Sequence, residues 1–157
     1  MPDIIPATQD HAVRLSGNLR AADVAELEAS ALSPEEGLVG SLLASGEAAW
    51  AVVEEGEPLA LFGAADCTSL MGVHCGAPWL LGSDALVTTH RRWLLRNTQR
   101  IVQTPDAYFH RYFNRVDARN TAHVRWLRWA GFMVMEPVPW GPFRLPFHPF
   151  FRKAPNV

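Results

Sequence analysis

Two apolar runs, Ala48 to Val53 and Leu59 to Asp66, flank Glu54-Glu55-Gly56-Glu57-Pro58, a stretch of turn formers and exposed charge. That arrangement reads as an antiparallel hairpin, so the chain is built around a sheet. The flanking segments supply its partners and cover. Ile4 and Ile5, set between prolines, make a short strand, and Thr8 and Asp10 are helix N-cap types. Leu15, Leu19, Val24, Leu27 and Ala31 keep an approximate helical spacing that Gly17-Asn18 interrupts, which predicts two short helices. Ser33-Pro34-Glu35-Glu36 has an N-cap, a first-turn proline and acids at the positive dipole end, with Leu38, Leu42 and Leu43 as the expected buried face.

The second half alternates strands and helices. A strand is expected at Trp79 to Gly82 and a helix over Thr89 to Thr104, with Trp93, Leu94, Leu95 and Ile101 inward and Arg91, Arg92, Arg96 and Arg100 on other sides. Pro105 ends it. The aromatic stretch Tyr108 to Val116 becomes a strand in its second half, a helix runs from Asn120 to Ala130 with Gly131 as its stop, and Phe132 to Met135 resumes as strand. Pro137, Pro139, Pro142, Pro146 and Pro149 each lack a ladder N–H, so the tail is expected as an edge hairpin or extended wrap. The order predicts an α/β (α+β mixed) domain with a mixed sheet and helices on both faces.

Composition narrows the function classes. The chain has 157 residues, 48% hydrophobic and 19% charged, the make-up of one globular domain, whose C-terminal part, about 137–157, is a strand segment rich in proline and aromatics. Fourteen Lys+Arg against sixteen Asp+Glu leave no global field for nucleic acid or a membrane surface. Cys67 and Cys75 fit neither a disulfide framework nor a zinc pattern, and no metal is expected. Apolar runs fall well short of the roughly 20 residues a bilayer requires. The start Met1-Pro2-Asp3 lacks the basic and apolar features of an export signal, so a cytoplasmic location is expected.

The most specific segment is Asn114-Arg115-Val116-Asp117-Ala118-Arg119-Asn120 through His123, Trp126 and Leu127 to Gly131-Phe132. It resembles the end of the Gcn5-related N-acetyltransferase (GNAT) fold, where a strand yields to an Asn-initiated helix closing in Gly-Phe. Its wording looks closer still to a podophage group that includes internal virion and acetyltransferase-like proteins. The resemblance implies a mostly antiparallel sheet whose two central parallel strands splay apart, leaving unpaired backbone groups for the pantetheine arm of acetyl-CoA. It also implies a pyrophosphate on amides at the next helix N-terminus.

On this chain the cofactor residues implied are Leu80, Leu81, Gly82, Thr88, Thr89, His90, Arg91, Arg92 and Asn120. The family's glycine loop falls on Leu86 to Arg91, where no glycine stands, so either the Thr hydroxyls, helix amides and Arg91-Arg92 hold the phosphates, or the site has decayed. Leu127 occupies the position of the family's proton-donating tyrosine. His74 and Asp84 are the candidate bases, with Ser83 orienting a substrate. His123 reads as a satisfied core histidine, Asn120 as a side-chain N-cap, and Trp126 and Trp129 as core. Two functions follow from the resemblance. One is acetyl transfer to a small-molecule or protein amine; the other is an inactive phage protein acting through phage or host proteins in assembly or host takeover, within an infected cell or a virion.

Overall fold

The computed structural model describes residues 1–155. Strand β1 (Asp3–Pro6) is followed by helices α1 (Gln9–Ser16), α2 (Ala21–Glu28) and α3 (Pro34–Ser45), then by strands β2 (Ala49–Glu54) and β3 (Glu57–Asp66). A short helix α4 (Thr68–Met71) leads to β4 (Gly76–Gly82), the short α5 (Asp84–Val87) and the long α6 (Arg91–Gln103). The chain closes with β5 (Arg111–Asp117), α7 (Thr121–Ala130), β6 (Met133–Val134), β7 (Val138–Trp140) and β8 (Leu145–Lys153). The strands form one eight-stranded sheet in the order β1-β2-β3-β4-β5-β8-β6, with β7 also on β8, and every pairing but β4 with β5 is antiparallel.

The hairpin explains the layering. Glu55 and Gly56 both have positive φ (50° and 79°), the two-residue turn whose twist suits a hairpin. Successive residues of β3 point to opposite faces. Leu61 packs with Leu15, Leu27, Leu38 and Leu42 of α1, α2 and α3, whereas Ala60 and Phe62 pack with Leu86, Leu94 and Ile101 of α5 and α6. A third cluster joins Val124 and Leu127 of α7 to Tyr112, Val116 and Phe150. Both faces are therefore dry, which is why β2 and β3 read as unbroken apolar runs.

Thr8 and Ser33 cap α1 and α3 through their hydroxyls, as their residue types predict. Leu43, expected inside, is 71% exposed, because α3 turns Leu38 and Leu42 to the sheet and leaves position 43 on the outer side. Gly63 is fixed by space: a Cβ there would lie 2.3 Å from the Ala48 carbonyl oxygen, a backbone atom with nowhere to go. Gly63→Ala is expected to cost about 2 kcal/mol or more, read as a shift in the urea midpoint.

The proline-rich tail corrects the expectation of an edge. β8 is internal, lying between β5 on one side and β6 and β7 on the other. Pro146 turns its carbonyl to the Ala118 N–H on the β5 side, so opposite Pro139 no ladder N–H is required of either ring. Pro149 directs its carbonyl outward to the Met135 N–H, and its neighbour on β5, Arg115, bonds its own N–H elsewhere. Each proline leaves one ladder donor missing, and the loss is met locally: Pro146 faces Ala118 just beyond the end of β5, and the Met135 carbonyl that Pro149 cannot serve lies 2.8 Å from His148 Nδ1.

Candidate functional site

β4 and β5 meet in register at one position, Gly76 opposite Tyr112, and part beyond it. Residues of an antiparallel ladder alternate in the direction of their peptide groups. Ser83 bonds back to the Leu59 carbonyl on β3, so Gly82, Leu80 and Pro78 direct theirs into the gap toward β5. Most of these groups are met by side chains. The Asn114 amide donates to the Pro78 carbonyl at 2.8 Å while its oxygen accepts the Arg115 N–H at 2.8 Å, bridging the narrow end of the gap. The Asp117 N–H donates to Glu26 Oε1 at 2.7 Å, and the Gly82 N–H donates to Asp23 Oδ2 at 2.9 Å. The Gly82 carbonyl accepts the Arg20 N–H at 2.9 Å. Leu80 lies beyond the single β4–β5 pairing, and among the described residues no side chain or loop amide meets its N–H or C=O.

Helix α2 thus stands across the mouth of the gap, and its first turn is stitched there by charge. Arg20 pairs with Asp23 at 2.9 Å, and Asn120 accepts from Arg20 and donates to Asp23. This corrects the capping role expected of Asn120: it occupies the N-cap position of α7, but its side chain makes no cap bond because Arg20 and Asp23 engage both its ends. Asp117 is neutralised by Arg119 at 2.6 Å. Glu26 enters no ion pair among the described residues, and burial, reinforced by the Asp23 and Asp117 charges, pushes its carboxyl up to about 8. His123 faces the same space beside Trp126, and burial holds its imidazole below the usual range, hence neutral near pH 7.

Two adjacent spaces open from this point. A cleft of about 440 Å³ runs between α5, α6 and α7, walled by Leu80, Val87, Arg91, Arg125, Trp126 and Trp129 among others. Beneath it a chamber of about 70 Å³ extends between the splayed strands, and Leu80, His123 and Trp126 border both. Arg20, Arg91 and Arg125 line the cleft against one carboxylate, Asp23, so its field favours an anion. Neither α6 nor α7 has a side-chain cap, leaving first-turn N–H groups at its edge. Trp129, expected in the core, is 59% exposed on the cleft rim, while Trp126 is partly buried and donates to Thr98 at 3.0 Å.

The same architecture recurs in solved acetyltransferase structures. An acetyltransferase of GNAT family from Streptococcus pneumoniae aligns over 98% of this chain and 99% of its own, with a TM-score of 0.63 and 14% identity. Ribosomal-protein-alanine N-acetyltransferase from Brucella melitensis aligns over 97% and 99%, with a TM-score of 0.67 and 14% identity. Aminoglycoside acetyltransferase AAC(6')-Ib, solved with coenzyme A and kanamycin, aligns over 98% and 95%, with a TM-score of 0.67 and 15% identity. The chain has the GNAT fold. No family profile and no curated protein matches the sequence.

Against the GNAT fold, the residues singled out in the sequence fall into groups. Leu80, Gly82 and Arg91 line the cleft, and Asn120 stands behind it in the Arg20–Asp23 network. Leu81 points to the α1–α3 face. The stretch read as the phosphate loop forms the end of α5 and the turn into α6; no residue there has positive φ, and the amides of Thr88, His90 and Arg91 are bonded within the chain. Thr88 gives its hydroxyl to the Asp84 carbonyl, Thr89 and Arg92 are exposed, and His90 pairs with Glu54 at 2.8 Å. Ser83 is buried and donates to the Leu59 carbonyl, while Asp84 is exposed at the start of α5.

His74 lies at the opposite, joined end of β4, stacked on Phe109 with Nε2 3.0 Å from the Tyr108 carbonyl oxygen. Sequence reasoning missed Arg20, Asp23, Glu26 and Arg125. The signal for the first three was an Arg-x-x-Asp-x-x-Glu spacing that places them along one side of α2. Among the described residues no cluster could hold a metal ion, and no helix is long and apolar enough to cross a membrane.

Proposed function

We propose that the chain transfers an acyl group from coenzyme A, acetyl in the simplest case, to a primary amine. The observation that carries this is Leu80, whose free N–H and C=O lie where the cationic cleft meets the gap between β4 and β5. The pantetheine arm would bond to Leu80 as an added strand does, and its phosphates would be held by the Arg91 and Arg125 side chains and the Arg92 and Trp93 amides in the first turn of α6. These groups replace the missing glycine nest.

Glu26 is the base of this reading. It reaches the gap from the α2 side, and Asp23 and Asp117, its carboxylate neighbours, are already neutralised by arginines. Ionised near pH 8 and above, it takes a proton from the acceptor ammonium; the amine nitrogen then bonds to the thioester carbon and sheds its second proton to solvent as the carbon–sulfur bond breaks, and solvent protonates the departing thiolate, Leu127 having no proton to give. The acceptor is a small-molecule amine, of the kind a fold neighbour holds in its complex with coenzyme A and kanamycin, or a protein amine.

Calorimetric titration with acetyl-CoA tests the cofactor part. Micromolar or tighter binding is expected, weakening about tenfold or more in the Arg91→Ala, Arg125→Ala double variant, and less in high salt. Absence of heat at high micromolar concentrations would favour a second reading, that of a non-catalytic phage protein working through protein contacts. That reading is supported by the side chains that already occupy most of the gap's backbone groups.

A further inference from the structure

We infer that the chamber between β4 and β5 receives an aliphatic acyl chain, so that the preferred donor is a coenzyme A thioester of about four carbons rather than acetyl-CoA. The inference rests on the cofactor reading above and specifies its acyl group. The chamber lies just past Leu80 on the side where the strands converge, which is the direction a thioester anchored at Leu80 would send its chain. Its walls are largely apolar: Phe62 from β3, Ile101 and Val102 from α6, Leu127 from α7, then Phe132 and Phe150. Leu127 matters here, since a hydroxyl-bearing side chain at that position would bring a polar group into the space.

Most polar residues on the lining have partners of their own. Asn114 uses both ends of its amide within the strands, Arg115 lies over the rings of Phe113 and Trp140, Tyr112 gives its hydroxyl to Asp106, and Glu26 accepts the Asp117 N–H; His123, held neutral by burial, completes the wall beside Trp126. Size sets the length. A water-sized sphere needs about 10–15 Å³ of such volume and a methylene more, so about 70 Å³ admits a chain of a few carbons. The one methyl of acetyl would leave most of that space empty and its walls without contacts. The Gly76–Tyr112 pairing and the Asn114 bridge close the far end, which limits how long a chain can enter.

The test is a calorimetric series on the unaltered chain with coenzyme A, acetyl-CoA, butanoyl-CoA and octanoyl-CoA. Burying two further methylenes predicts that butanoyl-CoA binds about tenfold more tightly than acetyl-CoA, with octanoyl-CoA weaker than butanoyl-CoA because its chain exceeds the chamber. Val102→Phe, which fills the far wall, is expected to erase the butanoyl advantage, and Val102→Leu to reduce it; circular dichroism verifies that each variant is folded. Equal affinities for acetyl and butanoyl thioesters, or tighter acetyl-CoA, would overturn the inference while leaving the cofactor reading intact. Failure of all four, free coenzyme A included, would overturn the cofactor reading itself.

Discussion

Asp23→Ala is expected to lower the folding free energy by about 3–5 kcal/mol, the range found when one partner of a buried charge pair is removed. Asp23 is 2% exposed and serves three segments far apart in the chain: it pairs with Arg20, accepts the Gly82 N–H that ends β4, and accepts from Asn120 at the start of α7. Alanine would strand a largely buried guanidinium and a buried peptide N–H together, each costly without a partner. Asp23→Asn keeps an acceptor for Gly82 but loses the charge, and a smaller loss of about 2 kcal/mol is expected. Urea unfolding at neutral pH measures both, with midpoints falling and slopes unchanged. A loss below about 1 kcal/mol for Asp23→Ala would mean that solvent readily replaces the network.

The second large effect concerns pH. The Glu26 carboxyl is raised from 4.5 to about 8, so the folded chain holds this proton more tightly than the unfolded chain does. Its contribution to stability is complete below pH 4.5 and is lost as pH rises toward 8. At about 1.4 kcal/mol per unit the shift sets an upper bound near 5 kcal/mol, and partial solvent access brings the expected loss to about 2–3 kcal/mol. Glu26→Gln keeps the acceptor for the Asp117 N–H and cannot ionise. It is expected to melt within a degree or two of the unaltered chain at pH 5 and roughly 6 °C higher at pH 8.5. Other titrating groups cancel in that difference, so a pH-independent gap between the two melting curves would show that Glu26 ionises normally.

Much of the scaffold is legible in the sequence because local chemistry and tertiary packing agree there. Thr8 and Ser33 cap their helices, Glu55-Gly56 turns the hairpin, and Gly131 ends α7 with φ near 105°. Legibility fails where a residue's partner is distant. Asn120 has the right type for an N-cap, yet two charged residues on α2 compete for its amide and prevail, since a hydrogen bond to a buried charge outweighs one to a peptide. Glu26 reads as an exposed helix acid until β5 is laid beside it, and only then does burial distinguish it from Glu28 on the same helix. The prolines of β8 mislead for the opposite reason. Their missing donors count against a central strand by composition, while the end of the β5 ladder and the His148 ring make good the loss in the folded sheet.

Prolines also stand on the outlying strands at the sheet's two margins. β1 ends in Pro6 at one border, and β7, which flanks β8 near the other, has Pro139 as its middle residue. A newcomer strand approaching either of these would find an interrupted row of donors and could not propagate the ladder outward. Edge-to-edge pairing with a second molecule is disfavoured along these two strands.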